Sequence, residues 1–449
     1  MAKHNLHRLL IALLHLSIFL SLNSSSSSGA IIGGVLNSPS FATSQTKSQW
    51  ERANNAAYES LSRAQSINSF QTAISTHISS YTISLDFGTP PQPITFLLDL
   101  GTSQTWFPCT NDYNCSGCHL ESKNPAFITT FIPTQSTSAK DLDCKNQLCQ
   151  QFHEDDSDFA CDNDSQVCPY QFHYVTGSTS GFFLSETLHF DEINIPNVIV
   201  GCSIESSGVS TGIGYVAFGR EPTSLPSQLG VKMFSYCLVA HKFSDTPKTS
   251  PFTLVLEGVG VNNSNSDSGI SYTPFVDSPA RFPTFYYVTV TKITVGDVDV
   301  QVPSQYLVPG PDGNGGTVIE PGTTFTVMDA EVHQLVLTEY EKQMGQYYRR
   351  VGDLDLGNQV NFTCYNFSGQ NPGNFPALSF YFEGGGKMEF PMTDNFEPYS
   401  DVVCLTLLSA KALGVQSGPS ITLGNYQQQN IYMEFDLENQ RLGFKEQIC

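Results

Sequence analysis

Two short stretches of this 449-residue chain follow one pattern. Leu97-Leu98-Asp99-Leu100-Gly101-Thr102-Ser103-Gln104-Thr105 returns, altered, as Val318-Ile319-Glu320-Pro321-Gly322-Thr323-Thr324-Phe325-Thr326. Each reads as two apolar residues, an acid, any residue, Gly-Thr, a hydroxyl residue, any residue and Thr. The acids at positions 99 and 320 are separated by about one domain length. A repeat on that scale predicts two similar lobes, each ending a strand in a turn that carries a carboxylate. Facing lobes bring the two acids together, and close carboxyls that cannot both ionise are a device for activating water. The second copy departs from the first by having Glu and Pro where the first has Asp and Leu.

The rest of the composition narrows the class. Hydrophobic residues make up 40% and aromatic residues 12%, enough for two cores of ordinary size. Low charge (14%) with abundant Gly, Pro, Phe and Tyr points to strands joined by turns. A net charge of −21 argues against nucleic-acid binding, which needs a basic surface. Residues 1–30 read as a signal peptide: Lys3, His4, His7 and Arg8 precede a short apolar run that ends in a serine tract. No stretch is long and apolar enough to span a bilayer, and the C-terminal end is too polar for a lipid-anchor signal. Twelve cysteines in a secreted chain imply six disulfides. In that compartment Cys115-Ser116-Gly117-Cys118 reads as a disulfide staple rather than a zinc or redox site. Sequons at Asn114, Asn163, Asn262, Asn361 and Asn366 fit glycosylated loops. No metal or cofactor pattern stands out: His-Glu-x-x-His and Gly-x-Ser-x-Gly are absent, and the 311–316 loop lacks calcium-loop spacing.

Along the chain, residues 31–78 read as a pro-segment or linker, with Trp50, Ala53, Ala57 and Leu61 at helical spacing. Alternation starts at Tyr81, turns at Gly88-Thr89-Pro90-Pro91-Gln92, and returns through 94–98 to deliver Asp99. A Cys-rich insertion covers 109–168. Strands are expected over 170–174, 181–190 and 198–202, and a Ser/Thr/Asn-rich loop over 241–268 divides a lobe of 79–245 from one of 246–449. In the second lobe, 285–295 reads as one long strand. Helices are expected over 225–229 and 330–343.

Several stretches together carry a family resemblance: Phe87-Gly88-Thr89-Pro90-Pro91-Gln92, the Asp99 turn with Trp106 and Cys109, Phe218-Gly219-Arg220 leading to Leu225-Pro226-Ser227-Gln228-Leu229, Phe234-Ser235-Tyr236-Cys237-Leu238, Leu423-Gly424-Asn425-Tyr426-Gln427-Gln428 and Leu442-Gly443-Phe444. Over 81–444 the chain resembles pepsin-like aspartic peptidases of the plant nepenthesin-type branch. The resemblance implies an all-β, two-lobed fold with a cleft between pseudo-twofold-related lobes. It implies a monomeric, secreted endopeptidase acting at acid pH on proteins or peptides, with no cofactor. Asp99 matches the first catalytic acid and Glu320 sits where the second belongs. Gly101, Gly322 and Thr323 belong to the turns that line the substrate site. Tyr174, in Cys168-Pro169-Tyr170-Gln171-Phe172-His173-Tyr174-Val175-Thr176-Gly177-Ser178, falls on the flap tyrosine that closes over substrate. The implied disulfides are Cys109–Cys115, Cys118–Cys202, Cys144–Cys168, Cys149–Cys161, Cys237–Cys449 and Cys364–Cys404.

Three departures cluster on the centre. In the family, the residue after each acid is Thr or Ser, and its hydroxyl bonds across to the backbone N–H of the opposite turn. Leu100 and Pro321 remove both hydroxyls, and Pro321 also lacks an N–H. Glu320 adds a methylene, a displacement of about 1 Å against a tolerance of about 0.5 Å for a catalytic constellation. Ala217 stands where the family has Gly, near the first turn. Two readings follow: an aspartic endopeptidase with an impaired centre, or a catalytically inactive binding or inhibitor protein whose cleft or surface takes a peptide or another secreted protein.

Overall fold

In the computed structural model, described residues run from 69 to 449, except 78, 111, 118–127, 154–165, 175–176, 191–192, 209–211, 242–247, 257–268, 346, 356–360, 368–374 and 400. The expected signal peptide, the stretch at 50–61 expected to be helical, the sequons at Asn163 and Asn262, and Thr176 therefore lie outside the described residues.

The fold is almost entirely β. Eleven strands fix the site: β1 (Ser69–His77), β2 (Ser80–Phe87), β3 (Gln92–Asp99), β4 (Gly214–Ala217), β5 (Val231–Cys237), β6 (Thr249–Leu256), β7 (Ser271–Val276), β8 (Thr317–Ile319), β9 (Ile421–Leu423), β10 (Ile431–Asp436) and β11 (Arg441–Glu446). Seven of them form one antiparallel run in the order β2–β1–β6–β5–β10–β11–β7. Both halves of the chain contribute to this sheet, so the lobes share a backbone rather than a linker. Phe234 of β5 lies opposite Phe435 of β10, with rings stacked at 4.4 Å. Phe252, Phe218 and Tyr286 pack around that pair. A buried aromatic pair of this kind contributes about 1 kcal/mol beyond its area.

Each lobe then repeats one device. In the first, β3 runs parallel to β4, with Ala217 opposite Asp99. In the second, β8 runs parallel to β9, with Leu423 opposite Ile319. The final threonine of each motif ties the crossing strand down: Thr105 Oγ1 accepts from Ala217 N at 3.0 Å, and Thr326 Oγ1 accepts from Gly424 N at 3.1 Å. The repeated Thr thus has the same task twice. Ala217 is buried and keeps its regular pairing; at the matching Gly424 a methyl would come within 2.5 Å of the Phe325 backbone.

Several expectations need correction. The β pattern begins before Tyr81, since Ser69–His77 pairs with both β2 and β6. The 241–268 stretch is not loop throughout: Thr249–Leu256 is a central strand burying Phe252 and Leu254, an apolar core hidden between polar flanks. The long strand at 285–295 splits into Tyr287–Val288 and Val290–Val295, because the two halves pair with different neighbours. The helices fall as expected, at Leu225–Leu229 and Ala330–Met344, the second capped by Asp329.

Cys237–Cys449 and Cys364–Cys404 are paired as the resemblance implied. The other implied pairs are overturned: Cys109 bonds Cys202, and Cys149 bonds Cys168. Strand register decides the first, since Trp106–Pro108 runs parallel beside 201–203 and brings Cys109 to Cys202. Cys115 and Cys144 are also disulfide-bonded. Among the described residues no helix is long and apolar enough to cross a membrane.

Candidate active site

Asp99 and Glu320 meet at the ends of β3 and β8. Gly101 N–H donates to Asp99 Oδ1 at 2.8 Å, and Gly322 N–H donates to Glu320 Oε1 at 2.6 Å. The two glycines are required by space. A Cβ at Gly101 would lie 2.8 Å from Glu320 Oε2 and 2.8 Å from a Phe285 ring carbon. A Cβ at Gly322 would lie 2.7 Å from Glu320 Oε1 and 3.3 Å from Asp99 Oδ2. Both distances to facing carboxyls show how tightly the acids share the floor. Thr323 closes its turn by donating N–H to Glu320 O at 3.2 Å.

Glu320 uses its extra methylene to reach across. Its Oε1 also accepts from the buried Leu100 N–H, at a long 3.3 Å. In the family pattern a hydroxyl at position 321 would take that N–H. Pro321 has none, and the Glu320 carboxyl stands in for it. The reciprocal bond would have joined a hydroxyl at 100 to an N–H at 321. Leu100 lacks the acceptor and Pro321 lacks the donor, so neither is orphaned. Removing both partners of a buried bond is nearly neutral, whereas removing one costs about 1–3 kcal/mol. The three substitutions are therefore mutually consistent, which the linear sequence does not reveal.

Burial disfavours both charges. It pushes Asp99 up to about 6, opposed by the N–H groups of Gly101 and Thr102. Burial first, and then the neighbouring Asp99 charge, push Glu320 further above its usual range, against the N–H groups of Gly322 and Leu100. Glu320 is 5% exposed and its Oε2 has no hydrogen-bond partner among the described residues. Two buried carboxyls this close cannot readily both ionise, so once one has lost its proton the pair holds the other between them.

Tyr174 ends one arm of a hairpin: Pro169–His173 pairs with Ser178–Phe190, and Tyr174 exchanges backbone bonds with Gly177. Its hydroxyl accepts from Trp106 Nε1–H at 2.8 Å, and its ring stands edge-on to Tyr215 at 5.0 Å. Sequence reasoning missed three further features. Phe285 covers Gly101. Glu221 accepts from Ser103 and from Thr284 Oγ1, tying the first turn to the segment that carries Phe285. Asn425 Nδ2 donates to Pro321 O at 2.9 Å and to Ser79 O at 3.1 Å. Only Asn425 lay within a quoted motif. Cys149, His153 and Cys168 converge closely enough to suggest a metal, but both sulfurs are spent in their disulfide and the His153 ring meets Pro169 O at 2.9 Å.

Comparison with known proteins places the chain in a family and a fold. The family model described as xylanase inhibitor N-terminal matches residues 81–254, and its C-terminal counterpart matches 285–446. Aspartic proteinase nepenthesin-2 of Nepenthes gracilis is 30% identical over 393 residues, covering 86% of this chain and 81% of that protein. Nepenthesin-1 of the same plant is 31% identical over 378 residues, covering 82% and 78%. The crystal structure of Basic 7S globulin from soybean matches with a TM-score of 0.61 at 18% identity, covering 84% of this chain and 96% of that one; this likeness concerns the fold alone. Fold and site define the class as a two-lobed, pepsin-like β-protein with facing acids. Within that class, the chain belongs to the plant aspartic-peptidase-like family that includes the nepenthesins.

Proposed function

We propose that the protein is an aspartic-type endopeptidase of low turnover, acting on proteins or peptides after passage through the secretory route. The observation that carries this reading is the convergence of two buried carboxyls, Asp99 and Glu320, on one site. Ionised Asp99 is the general base that takes a proton from water as it attacks the peptide carbonyl. Protonated Glu320, through the unpartnered Oε2, donates to the carbonyl oxygen as it gains charge. As the C–N bond breaks, Asp99 passes the water proton to the leaving amine and Glu320 recovers its proton from the hydroxyl that becomes the product carbonyl; no covalent intermediate forms. Tyr174 closes over the peptide from the hairpin. The disulfides and the nepenthesin relatives support an extracellular or vacuolar destination.

The pH dependence follows from the acids. As pH falls below about 6 the pair takes up its second proton and the base is progressively lost. Cleavage is therefore expected to rise as pH climbs toward about 6. The test is cleavage of a denatured protein substrate from pH 3 to 8, beside Asp99→Asn and a statine-type inhibitor. Cleavage that rises through pH 6 and is lost in both controls supports the reading. A folded sample with no cleavage at any pH overturns it.

One observation favours a second reading, in which the cleft binds peptide without cutting it. Glu320 Oε1 is already engaged by Gly322 and Leu100, which leaves the carboxyl less free to reorient during a reaction. Peptide binding without cleavage in the same assay would establish it.

A further inference from the structure

His241 and Asn425 are each 0% exposed, behind the second catalytic turn. The Asn425 amide faces two backbone carbonyls, Pro321 O and Ser79 O, at 2.9 and 3.1 Å. Carbonyls only accept, so the Asn425 nitrogen must face them and its Oδ1 must face away. Oδ1 meets His241 Nε2 at 3.3 Å. Asn425 Oδ1 can only accept, which places a proton on His241 Nε2.

The next link is the Pro321–Gly322 peptide. Its carbonyl accepts the Asn425 N–H bond, and its N–H donates to Glu320 Oε1 at 2.6 Å. One directed chain runs from the His241 ring through the Asn425 amide and a single peptide plane to the acid. In such chains each bond polarises the next, by about 10–30%. We propose that His241 is a positioning residue for the two-carboxyl site, acting through Asn425 on the peptide that holds Glu320. This inference rests on Glu320 being a working acid of the site.

The surroundings keep the ring neutral. Tyr81 and Tyr426 flank it at 5.8 and 5.6 Å, with Asp394 and Glu397 near those tyrosines. The Lys248 ammonium bonds the neighbouring Ala240 carbonyl. Burial first, and Lys248 further, lower the His241 pKa to about 4, against the Asn425 bond. The ring therefore serves as a neutral donor over the range in which the acids titrate.

The test reads Glu320 without turnover, so it stands apart from any failure of the peptidase assay. In the full-length folded chain carrying carbonyl-labelled Glu, the Glu320 carboxyl resonance is assigned by its loss in Glu320→Gln and followed against pH. His241→Phe removes the donor, weakens the bond that favours ionised Glu320, and is expected to raise its midpoint by about half a unit, roughly threefold in the ionisation constant. His241→Gln restores an N–H donor and is expected to return the midpoint. An unchanged midpoint in His241→Phe overturns the proposal, as does a shift that His241→Gln fails to reverse. Thermal unfolding of the same variants separates general loosening from this local effect.

Discussion

Glu320→Asp alone is expected to weaken this protein rather than repair it. The shorter acid can no longer reach Leu100, whose buried N–H now bonds Glu320 Oε1. Pro321 offers no replacement acceptor, so the N–H is orphaned at about 1–3 kcal/mol. Pro321→Thr alone creates the complementary fault, because the new N–H at 321 faces Leu100, which has no hydroxyl. Only Leu100→Thr, Glu320→Asp and Pro321→Thr together supply a donor for each acceptor. An acid misplaced by about 1 Å costs on the order of a hundredfold in rate, so the triple variant is expected to gain about that factor in kcat/KM over the natural chain. The single Glu320→Asp is expected to lose a few degrees of Tm and gain no rate. Strong proteolysis from Glu320→Asp alone would refute the coupling of the three positions.

The extent to which the sequence foretold this site follows from the kind of information each feature carries. The repeated motif foretold two lobes and two acids because strand, turn and carboxylate lie within nine consecutive residues of each copy. The threonines at 105 and 326 show that the repeat extends to the hydrogen bonds that pin the crossing strands. What stayed hidden depends on contacts between distant segments. Leu100 and Pro321 each look like a loss until Glu320 Oε1 is seen against the Leu100 N–H. His241 sits 184 positions from Asn425 and no local pattern links them. The disulfide errors have the same origin, since Cys109 reaches Cys202 through parallel pairing across 93 residues. Strand β6 escaped because its Ser/Thr-rich flanks outweighed a short apolar core.

Buried titrating groups also set how stability changes between about pH 4.5 and 6, and single variants should change that slope in opposite directions. Asp99 is raised from 3.8 to about 6, so in this window the folded state holds a proton that the unfolded chain has released. Glu320, raised well above 4.5, adds a second. His241, lowered from 6.5 to about 4, acts with opposite sign, because here the unfolded chain binds the proton. For these three groups the folded state holds more protons than the unfolded chain, so their joint contribution to stability falls as pH rises. Glu320→Gln leaves Asp99 and His241 opposing each other, and the slope is expected to flatten relative to the natural chain. His241→Gln removes the opposing group, and the slope is expected to steepen. Urea unfolding at about pH 4.5, 5.25 and 6 reads both changes. Other titrating groups are common to all three proteins, so the comparison rests on differences. Parallel slopes in the natural chain and both variants would mean that none of these groups is held at the proton affinity its burial implies.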